Sequence, residues 1–469
     1  MLEKLLNRSQ PNNIAYNING ETITFGELWD KAVFYGELLK KQGTGPVMVY
    51  GHKSIDMFVS MFACVHSGRA YIPVDLYTPV DRVKRILECA GCSLMLAHEE
   101  IDVEVDGVLK LKLGELEGFA SYGEKQTDDD TVYIIFTSGS TGDPKGVPIS
   151  RGNLENFIKW VSGLEGLKTS EKVNVLNQAS FGFDLSVADI YYAMANGHTL
   201  VAMDKECQEN YADIFSKIED NSINVLVVTP TFIKLCLVNK EFNAENYPSL
   251  KCIYFCGEQL EVATARLLLE RFPELNVINA YGPTEATSAV SSVNVTTEML
   301  QGNLLPVGKP GEYATEITVE DGEIVLKGES VSKGYLGGIK GGFYKEKGVN
   351  CFRTGDLGFF SDGYLYCKGR RDSQVKFKGY RIELNDIESN IYKIEGVRQC
   401  AVFAKYKDEF NIRMLKAFVV LDDGCDTDFV RRELKILLPA YMVPKSIVQL
   451  EQMPMNANGK TDRKKLIEL

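Results

Sequence analysis

The chain has 469 residues, 45% hydrophobic and 25% charged, with a formal net charge of −12. That length predicts two or three domains with sizeable cores, and the acidic balance argues against a broad nucleic-acid or anionic-membrane surface. No stretch approaches the roughly 20 apolar residues that span a bilayer, and the N-terminal MLEKLLNRSQP lacks the apolar segment of a signal peptide, so a cytoplasmic chain without membrane insertion is expected.

In chain order, Thr22-Ile-Thr24 reads as a strand entering a helix that runs toward Gln42. Val47 to Tyr50 reads as a strand, Ile55 to Ser67 as a largely buried helix, the segment before Pro79 as apolar, and Val80 to Ala90 as a helix. Ser121 to Asp130 is a Gly/Asp-rich connector. Val132 to Phe136 is an apolar β-branched and aromatic run, a buried strand. It opens onto TSGSTGDPKG, where glycines let backbone N–H groups turn inward, hydroxyls add donors and Lys145 adds a charge, a composition suited to a phosphate chain. The Walker spacing is absent. Three later apolar runs, Asn224 to Val228, Cys252 to Phe255 and Val277 to Ala280, each end in a polar loop, and ligands of open α/β sheets bind at such strand ends. From Ile317 the texture changes to short antiparallel strands. After Asp372 a separate α+β pattern follows: helices at Asp386 to Ile394 and Asp428 to Leu438, strands at Cys400 to Ala404 and Leu415 to Leu421.

The eleven cysteines lie mostly in apolar runs and read as reduced thiols, and Cys89-Ala-Gly-Cys92 lacks a second ligand pair for zinc. The four histidines, His52, His66, His98 and His198, show no metal-ligand or triad spacing.

The stretches HSGRAYIPVD, TSGSTGDPKG, FDLSV, AYGPTEAT, FRTGDLG, GRRDSQVKFKGYRIE and NANGKTDR occur in this order from Gly68 to Arg463. They resemble the adenylate-forming enzymes, in particular the amino-acid adenylation domains. NQASFGFDLSVADIYYAM, YFCGE and INAYGPTEATSAV resemble the branch that loads D-alanine for lipoteichoic acid alanylation. The segments 308–322 and 337–353 are shorter than that branch usually has.

The resemblance implies an α/β fold: a large N-terminal part of αβαβα layers over residues 1–371, with a small β-barrel subdomain at about 305–371, then a mobile α+β lid over 372–469 hinged at Asp372. It implies ATP and Mg²⁺ as cofactors and two half-reactions, adenylation of a carboxylate and transfer to a phosphopantetheine thiol on a separate carrier protein. Thr137, Ser138, Gly139, Ser140, Thr141, Gly142 and Lys145 would wrap the phosphates. Tyr281 would face the adenine, with Asn279, Ala280, Gly282 and Pro283 beside it; Thr284 would meet the α-phosphate and Glu285 would hold the metal. Asp356 would accept the ribose hydroxyls, Arg370 would support the nucleotide, and Lys460 would bridge carboxylate and α-phosphate. Asp184 would pair with the substrate ammonium, an acid among Phe181, Phe183 and Leu185 being costly without a partner cation; the competing reading is a helix N-cap. Leu185, Ala188, Cys256, Ala280, Ser288 and Ala289 would line the rest of a pocket for a small amino acid, D-alanine first. A peptide-synthetase-type enzyme for glycine, L-alanine or serine, an acyl-CoA synthetase and a carrier-binding protein without catalysis are the alternatives. Arg413, Arg431 and Arg432 are the basic residues expected to meet an acidic carrier.

Overall fold

The computed structural model describes residues 5–7, 9–118, 131–138, 143–310, 315–339, 341–371, 374–377, 379–407, 412–454 and 465–466. A six-stranded sheet runs, edge to edge, Leu109–Leu111, Leu94–Ala97, Val47–Gly51, Tyr71–Asp75, Thr131–Thr137, Lys145–Ser150. Its pairs are parallel except the last. An eight-stranded sheet runs Ser291–Asn294, Asn276–Tyr281, Cys252–Phe255, Val225–Val228, Asn174–Asn177, Thr199–Ala202, Ile14–Ile18, Glu21–Thr24, with antiparallel pairs at its two edges only.

Helices Ile55–Ser67 and Leu185–Asn196 are buried on nearly every side because they share one core cluster with both sheets. Helices Tyr211–Asp220, Pro230–Cys236 and Val262–Arg271 close the outer face of the eight-stranded sheet, and Val80–Ala90 packs on the six-stranded one. The αβαβα layering follows. Caps fix the helix ends: Thr24 and Glu27 form a capping box before Phe25–Leu39, Ser54 caps Ile55–Ser67, and Gly68 takes the left-handed turn that ends it.

A five-stranded antiparallel sheet follows, Thr315–Glu320, Glu323–Gly328, Val349–Ser361 and Phe343–Glu346, with Tyr364–Arg370 on the second half of the long strand. No pairing closes it into a barrel among the described residues. Beyond it, the hairpin Gln374–Phe377 and Tyr380–Glu383 leads into helix Leu384–Ile391, two residues ahead of the expected start. A three-stranded sheet, Val397–Tyr406, Ile412–Leu421 and Ser446–Gln449, packs with helix Thr427–Leu437 on its own apolar core. The connector expected at 121–130 lies outside the described residues. Among those described, no helix is long and apolar enough to cross a membrane.

Candidate active site

The carboxyl ends of Val225–Val228, Cys252–Phe255 and Asn276–Tyr281 converge, as the sheet topology requires. After Tyr281 the chain turns back so tightly that a Cβ on Gly282 would lie 2.5 Å from Ala289 Cα. Thr287 and Ser288 take left-handed φ values of 61° and 69°, uncommon for non-glycine residues. Thr287 Oγ1 is anchored on the Ser330 carbonyl at 2.8 Å, and the Cys256 thiol donates to the Ser288 carbonyl at 3.7 Å. Burial pushes the Cys256 thiol up to about 12, so it is a neutral wall group. Ser288 is 2% exposed and its Oγ has no hydrogen-bond partner among the described residues.

Asp184 stands at the N-cap position of helix Leu185–Asn196 but makes no capping bond. Its Oδ2 accepts from Thr284 Oγ1 at 2.5 Å. Burial raises its pKa, against the opposing pull of Thr284, Arg381 and Lys376. Leu185, Ala188, Ala280 and Ala289 are buried nearby in the same core cluster. Thr284, expected at a phosphate, gives its hydroxyl to Asp184 in this arrangement.

Among the residues expected at the nucleotide, Tyr281 OH donates to Asp356 Oδ2 at 2.7 Å, and Arg370 Nη1 pairs with Asp356 Oδ1 at 2.6 Å. Both oxygens of the expected ribose acceptor already have one protein partner, each keeping a further lone pair. Asn279 is bonded to the Pro306 carbonyl at 2.8 Å, so its amide shapes the turn. Ala280 and Pro283 are buried beside it.

Glu285 is fully buried. Tyr335 OH donates to its Oε1, and Arg381 Nη1 pairs with its Oε2 at 2.5 Å. Burial pushes this carboxyl up, but the Arg381 charge and the hydrogen bonds from Arg381 and Tyr335 outweigh it and hold it below the usual carboxylate range. Arg381 arrives on the hairpin: Ser138 Oγ donates to the Arg381 carbonyl at 3.0 Å and accepts from Glu383 N at 3.1 Å. Glu258 accepts from Gly379 N at 2.6 Å, and Tyr380 packs edge-on against Phe183 at 4.6 Å and stacks on Tyr441 at 3.7 Å. Lys376, on the other strand of the hairpin, has its Nζ 5.9 Å from the Tyr281 ring centroid. The sequence reading assigned no role to Arg381, Lys376 or Tyr335. The only signal for Arg381 and Lys376 was the motif GRRDSQVKFKGYRIE itself, and Tyr335 lies outside every quoted motif.

Residues 5–336 match the family model for the AMP-binding enzyme, and residues 386–460 match that for its C-terminal domain. The chain belongs to the AMP-binding enzyme family. It is 41% identical to the D-alanine–D-alanyl carrier protein ligase of Listeria monocytogenes serotype 4b (strain F2365), over 97% of this chain and 96% of the relative. It is 37% identical to the ligase of the same name from Bacillus licheniformis, over 98% and 97%. Among solved structures it is similar to the Vibrio cholerae adenylation domain AlmE in complex with glycyl-adenosine-5′-phosphate, with TM-score 0.82, 25% identity and coverage of 98% and 94%. Holo-PA1221, an NRPS protein containing adenylation and PCP domains, shares the fold, with TM-score 0.82, 23% identity and coverage of 100% and 82%.

In this AMP-binding enzyme Thr137 ends its strand and Lys145 begins the next, its Nζ 5.5 Å from the Tyr335 ring centroid. Gly139, Ser140, Thr141, Gly142, Asp372 and Lys460 lie outside the described residues. His52 Nδ1 and Ser180 Oγ both meet Asp75 Oδ2, at 3.0 and 2.7 Å, while His52 Nε2 accepts from Lys205 N. The serine therefore bonds the acid rather than the imidazole, which is not the order of a nucleophilic triad. Cys89 is exposed and Cys92 buried, both free, and no group of three metal-ligating His, Cys, Asp or Glu stands together among the described residues. Arg431 Nη1 is spent on the carbonyls of Pro444 and Lys445, so it offers less to a partner than its sequence context suggests.

Proposed function

We propose that this AMP-binding enzyme activates a small amino acid, D-alanine first, and loads it onto the phosphopantetheine thiol of a separate carrier protein. The observation that carries the amino-acid reading is Asp184: an acid among apolar side chains, beside the neutral thiol of Cys256, offering a counter-charge to an ammonium group. The names of the relatives at 41% and 37% identity support D-alanine. The substrate carboxylate oxygen attacks the α-phosphorus of ATP and pyrophosphate leaves. The carrier thiol then attacks the acyl carbon and AMP leaves. Tyr281, Asp356 and Arg370 orient the nucleotide; Thr137 to Lys145 neutralise its phosphates; Lys460, swung on a hinge at Asp372, bridges the reacting groups.

Glu285 fits a hard divalent cation in charge and burial, as the single protein carboxylate of a site completed by phosphate oxygens, once Arg381 is no longer on it. Bound there, Mg²⁺ would neutralise phosphate charge.

Amino-acid-dependent ATP–pyrophosphate exchange tests the reading, with D-alanine, L-alanine, glycine and serine compared against acetate and benzoate. Preference for D-alanine is the expected result. Exchange with the acids but none of the amino acids overturns it. The partnerless Ser288 Oγ favours a second reading, serine, because a buried hydroxyl gains most from a substrate that answers it. The same experiment decides between the two. Lys460→Ala is expected to cut adenylation by about 3 kcal/mol, on the order of a hundredfold, yet still transfer from supplied aminoacyl-adenylate. Equal loss in both half-reactions removes Lys460 from its assigned role.

A further inference from the structure

Glu285 is 0% exposed, and a carboxylate at that depth cannot stand without a compensating cation. In this arrangement Arg381 supplies the charge. The guanidinium belongs to the hairpin Gln374–Phe377/Tyr380–Glu383, which three contacts independent of Glu285 seat on the large part: Ser138 to the backbone of Arg381 and Glu383, Glu258 to Gly379 N, and Tyr380 against Phe183. With the hairpin withdrawn, the partners left to Glu285 among the described residues are the Tyr335 hydroxyl and its own backbone, which donate hydrogen bonds but carry no charge. The carboxylate is then open to another cation.

We propose that Arg381 and a divalent cation are alternative, mutually exclusive occupants of Glu285, so that seating the hairpin and emptying the metal site are one thermodynamic event. This rests on the reading of Glu285 as the metal ligand. A cation bound at Glu285 would compete with the Arg381 guanidinium for the one carboxylate, and two positive charges beside it in a buried site would repel. Linkage then makes the effect reciprocal: metal with nucleotide weakens hairpin seating by the factor by which seating weakens metal binding. Arg381 is in this account a positioning residue that discharges Glu285 when the metal leaves with its phosphates, and leaves the site neutral for the second half-reaction. Lys145, its Nζ 5.5 Å from the Tyr335 ring centroid, is on strand Lys145–Ser150 and not on the hairpin.

The test uses the full chain, Mn²⁺ as the metal and a non-hydrolysable α,β-methylene ATP. Mn²⁺ affinity is read from water-proton relaxation, and hairpin seating from hydrogen exchange at the amides of Gly379 and Glu383. Arg381→Gln is expected to bind Mn²⁺ about tenfold tighter than the unaltered chain, whereas Arg381→Lys, which keeps the charge, stays within a few-fold of it. Tyr380→Ala, which loosens the hairpin without touching Glu285, is expected to tighten Mn²⁺ in the same direction and serves if Arg381→Gln does not fold. In the unaltered chain, Mn²⁺ with the analogue is expected to speed exchange at Gly379 and Glu383. Glu285→Gln separates the two possible failures. If it weakens Mn²⁺ while neither Arg381→Gln nor Tyr380→Ala tightens it, Glu285 is a ligand and the competition is wrong. If it leaves Mn²⁺ binding unchanged, the ligand assignment falls, and this proposal with it.

Discussion

Lys53 and Arg381 are both cations set deep in this molecule, and they are held in opposite ways. Lys53, 4% exposed, donates to the carbonyls of Asn177, Gln178 and Met203 at 3.0, 2.8 and 2.7 Å, all three at strand ends of one sheet. Arg381, with 19% of its side chain exposed, reaches a carboxylate 96 residues away in sequence, on the other side of a domain junction. The first cage is made of backbone dipoles that cannot leave while the sheet stands. The second is a pair of full charges: Tyr281, Ala286 and Val290 around Glu285 belong to one apolar cluster, and Val375 and Ile382 of the hairpin to another. A dipole cage fixes a cation for the life of the fold, whereas a charge pair across a junction holds only until a competitor arrives.

The largest effect that would sharpen this contrast is expected at Lys53. Lys53→Met leaves three converging carbonyls without their shared donor and is expected to cost about 3 kcal/mol of global stability, read from urea midpoints. Arg381→Gln should leave that midpoint nearly unchanged, since its effect falls on seating. If both variants lower the same cooperative transition equally, the two cations are structurally equivalent and the contrast fails.

Next comes the second junction pair. Arg82 Nη1 lies 3.6 Å from Asp386 Oδ2, with side chains 6% and 0% exposed. Burial raises the Asp386 carboxyl, and Arg82 pulls it back down. Asp386→Asn leaves a buried guanidinium unpaired and is expected to cost about 2 kcal/mol, confined to the transition of the C-terminal part. Scanning calorimetry checks this: a shift of the large part's transition instead would mean that the pair is not a junction contact in energy.

The smallest effect belongs to the sheet that houses Lys53. His198 is 3% exposed beside Tyr192, and burial, with Lys172, lowers its pKa to about 4. An unfolded histidine binds its proton below about pH 6.5, so between there and about pH 4 the unfolded chain carries the extra proton. Stability therefore falls as pH falls through that window, by at most ~1.4 kcal/mol per pH unit from this group. His198→Phe should flatten the urea-midpoint profile there, and an unchanged slope would assign it to other groups.

Much of the fold was legible because its signals are local. Helices Ile55–Ser67 and Val80–Ala90 were read to the residue, since Ser54, Gly68, Pro79 and Gly91 punctuate them. The motifs also named residues that pair up in the structure, Asp184 with Thr284 and Cys256 with the Ser288 carbonyl. Arg381 and Tyr335 were not legible, because nothing in QVKFKGYRIE or in SKGYLGG encodes which buried carboxylate a side chain will reach. Nor could the sequence show that Asp356 is already shared between Tyr281 and Arg370, or that Thr284 bonds Asp184. Those pairings are set by how two bodies meet.

The turn from Gly282 to Ser288 has a consequence for how this pocket changes its substrate over generations. A left-handed pair laid over a glycine that admits no Cβ is a segment in which few side-chain exchanges preserve the shape. Cys256 and Leu185 lie outside that turn, the first just after strand Cys252–Phe255 and the second at the start of helix Leu185–Asn196. Under the proposed function, variation in specificity would have its cheapest routes through those two positions, while the turn drifts slowly.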